Sequence, residues 1–117
     1  MNKENVTNIE QSLRLAELIG TETADMLYID ANEDYLRIKD KNTLVGGLDV
    51  LAWSFGALVD LVPVDQLGIW RMNALTMYDG FAFCTDSPVG GHYYKGKTKL
   101  EAVFNAVIDI HERRNQR

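Results

Sequence analysis

Residues 98–117 read TKLEAVFNAVIDIHERRNQR. Thr98 and Glu101 stand in the T-x-x-E pattern of a capping box, in which each side chain satisfies a backbone N–H left over at a helix start. Leu100, Val103, Phe104, Val107, Ile108 and His111 follow at helical spacing and form one apolar stripe. Glu101 lies at the positive end of the helix dipole; His111, Arg113 and Arg114 lie at the negative end, the arrangement the dipole favours. A helix with one apolar face needs another element to cover it, and the chain before it supplies candidates.

Working backwards, His92-Tyr-Tyr-Lys95 reads as a short extended segment feeding this helix. Gly68–Thr76 and Gly80–Thr85 read as two strands, and Asp79-Gly80 between them is a tight-turn signal. In the second strand Phe81 and Phe83 share one face, Ala82 and Cys84 the other. Gly46-Gly47 ends a loop. Leu48, Leu51, Ala52, Phe55, Leu58, Val59 and Val62 then recur at helical spacing, which predicts a central buried helix over 48–62, stopped by Pro63. Gly56 inside it predicts a close approach of a neighbouring element.

Met26–Ile29 and Tyr35–Lys39 flank the turn-type cluster Asp30-Ala-Asn-Glu-Asp34 and read as a hairpin; a helix through Ala24–Lys39 is the alternative. Residues 8–19 read as a helix with Thr7 as N-cap and Glu10 three residues later, a face containing Ile9, Leu13 and Ala16 and widened by Leu15, Leu18 and Ile19, and Gly20 just past its end. The fold expected is α+β, an antiparallel sheet packed by about three helices in a single domain.

The 117 residues, 46% hydrophobic and 25% charged, have the balance of a globular domain. A lone cysteine, Cys84, excludes an internal disulfide framework and suits a reducing compartment. The polar start Met1-Asn-Lys-Glu-Asn-Val-Thr predicts no secretory leader. The longest charge-free run, between Asp49 and Asp60, is too short to span a bilayer.

Net charge is −5 and uneven: residues 1–91 hold fourteen acids and six bases, residues 92–117 three acids and six bases. Between Leu15 and Leu36 there are six acids and no base. Such a chain is repelled by phosphate backbones, so the partner expected is a protein or a second copy rather than nucleic acid or a membrane.

Three constellations could carry chemistry. Gly91-x-x-x-x-Gly96-Lys97-Thr98 matches the phosphate-cradling loop pattern, with Lys97 for the outer phosphates and Thr98 for magnesium. Its context is wrong: Asp86–Gly90 separates it from the nearest strand, His-Tyr-Tyr-Lys is bulky where the backbone must wrap phosphate, and no later strand ends in an acidic magnesium partner. A simpler anion site on Gly96, Lys97 and Thr98 at the helix start is the reduced form of that reading. Cys84 and His92 would need to meet within hydrogen-bond reach to form a nucleophile pair. Asp30-x-Asn32-x-Asp34 opens like a calcium loop, but Tyr35 and Lys41 occupy the positions that require glycine and glutamate. No metal or cofactor is expected. The aromatic set Trp53, Trp70, Tyr78, Tyr93 and Tyr94 fits either a core or an interaction surface.

The order of an amphipathic helix Ile9–Ile19, a later strand pair, and Tyr93-Tyr94 running into the helix Thr98-Lys-Leu-Glu-Ala-Val-Phe-Asn-Ala-Val107 resembles the phage ABA-sandwich family of small phage and prophage proteins. The resemblance covers a third to half of the chain and implies a small accessory protein in the cytoplasm of a bacterial host. It carries over no catalytic residues. The function expected is a non-enzymatic protein-binding module, possible modulator of a host protein, with Glu22, Asp25, Asp30, Glu33, Asp34, Tyr93 and Tyr94 as contact candidates. The alternative is a small nucleotide- or anion-binding protein using Gly91–Thr98.

Overall fold

A computed structural model describes residues 5–62, 73–77, 80–85 and 92–115. Among these residues the chain is α+β, with antiparallel sheets and α-helices packed against them. It divides into two compact units, Met1–Ala57 and Leu58–Arg117.

In the first unit, α1 (Ile9–Ile19) leads to β1 (Met26–Tyr28), β2 (Leu36–Ile38) and β3 (Val50–Ala52), arranged as a three-stranded antiparallel sheet in the order β2-β1-β3. The expected hairpin is therefore present, with Met26 opposite Ile38 and Tyr28 opposite Leu36. A single 3-10 turn, Ile29–Ala31, starts its connection. Val6, Met26, Tyr28 and Ala52 form a buried cluster, with Ile9, Leu36 and Val50 packed on it.

Helix α1 begins one residue later than expected. Its N-cap is Asn8, whose side chain accepts the Gln11 N–H at 2.8 Å while Gln11 Oε1 accepts the Asn8 N–H at 3.0 Å. Thr7 is instead fully buried and bonded to the distant Trp53. Leu13, expected on the buried face, is 56% exposed; the fully buried positions are Ser12 and Leu15. The polar Ser12 can be buried because its hydroxyl is hydrogen-bonded to Asn8 O at 2.6 Å. Gly20 ends the helix at φ +79, a backbone state costly for a residue with a Cβ, and its N–H donates to Ala16 O.

The helix expected over 48–62 is the main correction. Leu48 is exposed, Val50–Ala52 is β3, and only α2 (Phe55–Asp60) is helical. A short apolar run fits strand and helix periods alike. Here Val50 and Ala52 join the cluster around β1, and the turn signal comes at Ser54. The Ser54 N–H and Oγ–H both donate to the Asp25 carboxylate, and Ser54 Oγ accepts the Ala57 N–H at 3.3 Å. That cap starts the helix at Phe55, seven residues later than expected. Gly56 is exposed and meets no close neighbour. Pro63 lies outside the described residues.

In the second unit, β4 (Asn73–Met77), β5 (Gly80–Thr85) and β6 (His92–Gly96) form an antiparallel sheet in the order β4-β5-β6. The expected Tyr78-Asp79 turn and the start of the first strand, 68–72, lie outside the described residues; Met77 pairs with Gly80. Helix α3 (Lys99–Asn115) packs against β5 and β6. Thr98 Oγ1 accepts the Glu101 N–H at 3.1 Å, as the capping pattern requires. Leu100, Val103, Phe104, Val107 and Ile108 are buried, joined by Ala102 and Ala106. Each fully buried aliphatic side chain of this kind contributes about 1.5–3 kcal/mol. His111, half-buried at the end of the stripe, places Nε2 3.0 Å from Leu61 O.

Candidate functional site

The acidic residues of the first unit have different jobs. Glu22 is exposed in a turn after α1. Asp25 is half-buried, with both carboxylate oxygens bonded to Ser54, at 2.8 Å to its N–H and 2.5 Å to its hydroxyl. Glu33 reaches back to the start of α1, where Oε1 accepts the Ile9 N–H at 3.1 Å. A carboxylate there also meets the positive end of the helix dipole. Asp34 donates its N–H to Asn32 Oδ1 at 2.9 Å, an Asx-type turn. Asp30 stands exposed with a left-handed backbone, φ +53, followed by Ala31 at φ +55.

Asp49, outside the expected contact set, fastens the backbone here. One of its oxygens accepts the Asp30 N–H at 2.8 Å and the other the Gly46 N–H at 2.7 Å. These two bonds, that to Asp30 first, lower its carboxyl below the ordinary 3.8. Asp49 thereby clasps the hairpin tip to the connection between β2 and β3. The far end of that connection is closed by Asp40, whose Oδ1 accepts the Asn42 N–H and the Thr43 hydroxyl.

Between those two aspartates lie Leu44, 92% exposed, Val45 and Leu48. Just before them, Tyr35 and Ile38 are also exposed. Sequence reasoning missed this set because it assigned Leu48 to a buried helix. The usable signal was Asp40-x-x-Thr43 followed by Gly46-x-x-Asp49, two local turn patterns that fasten a displayed loop. Residues 1–57 carry ten acids and five bases, residues 58–117 seven of each, so the whole net charge resides in the first unit.

The remaining candidates lie in the second unit. The side chain of Tyr93 lies outside the described residues. The Tyr94 hydroxyl donates to Asp109 Oδ2 at 2.8 Å, and Arg113 Nε donates to Asp109 Oδ1 at 3.2 Å. Burial first, then the Asp109 carboxylate, push the Tyr94 phenol up to about 12. His92–Gly96 is strand β6, paired along its length with β5, where phosphate wrapping would need a loop. Gly96 faces the first turn of α3: a Cβ built there would meet Ala102 N at 2.5 Å. Lys97 and Thr98 are exposed, and Thr98 is the N-cap. In the β5–β6 register Cys84 is opposite Tyr93 and His92 opposite Thr85, so the ladder does not pair Cys84 with His92.

Among the described residues no group of three or more His, Cys, Asp or Glu side chains could hold a metal ion. No helix among them is long and apolar enough to cross a membrane. No protein-family model matches the chain, and neither a curated protein nor a solved structure matches it.

Proposed function

We propose that the chain is a non-enzymatic protein-binding module, an accessory protein of the phage or prophage type acting in the cytoplasm of a bacterial host. Its contact surface is the hairpin tip and the β2–β3 connection, clasped together by Asp49. One observation carries this reading: Tyr35, Ile38, Leu44, Val45 and Leu48 are all exposed within one short stretch of an acidic unit. Clustered exposed apolar side chains with a polar surround are the pattern of a protein contact. Asp30, Glu33 and Asp34 supply the surround, and a basic rim on the partner answers them. Asp25 is excluded from the contact set because both its oxygens hold Ser54. The resemblance of Tyr93-Tyr94 and the Thr98 helix to small phage proteins supports the accessory context.

The test is affinity capture from a bacterial lysate with the parent chain and with Leu44→Asp/Leu48→Asp. A protein retained by the parent and lost by the double variant, with thermal unfolding unchanged, is the expected result. Equal retention by both would sink the assignment of this surface.

A further inference from the structure

Strand β2 is an outer strand of its sheet. Two bonds fix the phase of its ladder: the Ile29 N–H donates to Tyr35 O and the Lys39 N–H to Asp25 O, both at 2.9 Å. Bonded and non-bonded residue pairs alternate along an antiparallel ladder. Residues 35, 37 and 39 therefore turn their backbone groups towards β1. Leu36 and Ile38 turn their N–H and C=O groups outward, away from the sheet. Ile38 is 63% exposed, and Leu36 packs on the buried cluster. An outer strand with outward donors and acceptors and an exposed apolar side chain is a template for one more strand.

The charges on β2 select what that strand is. Among the described residues neither Arg37 nor Lys39 has an ion-pair partner. Pairing with β2 of a second copy is disfavoured. Placing Leu36 opposite Ile38 sets Arg37 against its own counterpart, and placing Ile38 opposite itself sets Arg37 against Lys39. Like charges directly opposed destabilise a ladder. Placing Leu36 opposite itself sets Ile38 against Asp34. A strand with carboxylates opposite Arg37 and Lys39, and apolar side chains beside Leu36 and Ile38, satisfies both faces at once.

We propose that β2 accepts an extended segment of the partner as a fourth strand, and that this segment alternates apolar and acidic residues. The proposal rests on the protein-binding reading and names the chemistry of the partner. The probe is a synthetic capped peptide alternating valine and glutamate, titrated into the full chain and followed by amide chemical shifts. Shifts and slowed exchange at Leu36 and Ile38 are expected. Ile38→Pro removes an outward N–H and no ladder bond, and weakens binding by about fivefold to tenfold. Arg37→Glu/Lys39→Glu reverses the preference, so that a valine–lysine peptide binds better than the valine–glutamate one. That reversal is read within one variant and does not depend on Ile38→Pro folding. No shifts with the valine–glutamate peptide, or equal binding of both peptides by the parent, would overturn the inference. Lysate capture sensitive to Leu44 and Leu48 alongside either result would leave the module reading standing and remove only the added strand.

Discussion

Thr7 and Trp53 are tied at both backbone amides: the Thr7 N–H donates to Trp53 O at 2.9 Å, and the Trp53 N–H donates to Thr7 Oγ1 at 3.0 Å. Thr7 O also accepts the Tyr28 hydroxyl at 2.7 Å. With the Ser12 hydroxyl donating to Asn8 O, Thr7 Oγ1 is left as donor to Ser12 Oγ, 2.7 Å away. Thr7, Ser12 and Trp53 are fully buried, so the bonds of Thr7 to Trp53, Tyr28 and Ser12 are made away from water. Thr7→Val keeps the shape and strands the Trp53 N–H. Urea unfolding is expected to show a loss of about 1–3 kcal/mol. Thr7→Ser keeps the hydroxyl and loses one methyl, so it costs about 1 kcal/mol. A serine variant as unstable as the valine one would contradict this account.

The Asp25–Ser54 pair gives a second outcome, one that separates scaffold from surface. Asp25→Ala leaves the half-buried Ser54 N–H and hydroxyl without their acceptor and should lower stability by about 1–3 kcal/mol. Ser54→Ala removes the cap on Ala57 as well and should cost about 1–2 kcal/mol. Because the two residues bond to each other, the double variant should cost less than the two single losses together. Additive losses in the cycle would show that the pair is not coupled.

Local signals were the legible ones. Thr98 and Glu101 lie within one helical turn, and the apolar stripe behind them is buried as its spacing implied. The hairpin of β1 and β2 was readable because two short β-rich runs bracket a turn cluster. Distant contacts were not readable. Thr7 and Asn8 are adjacent and both suit an N-cap; what removes Thr7 from that role is Trp53, far along the chain. Val50–Ala52 sits in a run whose period fits a helix, and only its pairing with β1 makes it a strand. Leu44 and Leu48 are exposed where Asp40 and Asp49 fasten the backbone around them, a local turn pattern that the helical spacing running on from Leu48 overrides in the sequence.

Acid should loosen the clasp at Asp49. Its carboxyl is held below 3.8 in the folded chain by the Asp30 and Gly46 N–H groups. A depressed folded value means that the contribution is complete above the unfolded value and is lost as pH falls through the folded one. Amide exchange at Asp30 and Gly46, corrected for its intrinsic pH dependence, should therefore lose protection below pH 3.8. Asp49→Asn should remove that acid-side step and leave both amides less protected at neutral pH. The same step persisting in Asp49→Asn would assign it to another carboxylate.

Alkali should act on Tyr94. Its phenol ionises at about 12 against an ordinary 10.0, through burial and then the Asp109 carboxylate. A raised folded value gives stability that is full below the unfolded value and is lost as pH rises towards the folded one. The absorbance titration of tyrosinate should contain a late phase that Tyr94→Phe removes. Asp109→Asn should bring that phase earlier, since it takes away the acceptor charge. Arg113→Ala should move it much less than Asp109→Asn, because the exposed Arg113–Asp109 pair is a weak surface bridge.

Gly96 ends β6 where α3 begins, and there is no room there for a side chain. A Cβ would lie 2.5 Å from Ala102 N and 2.8 Å from Glu101 C, both backbone atoms of the first helical turn. Backbone cannot swing aside as a flexible side chain can, so Gly96→Ala must push the strand end off the helix. A destabilisation of about 1–3 kcal/mol is expected from overpacking. The loss should fall on the β6–α3 contact, seen as faster amide exchange at Glu101 and Ala102 than in the parent. A glycine needed for anion binding would behave differently: Gly96→Ala would leave unfolding unchanged and abolish the binding of inorganic phosphate. Unfolding and phosphate titration on the one variant therefore decide whether Gly96 serves packing or a ligand.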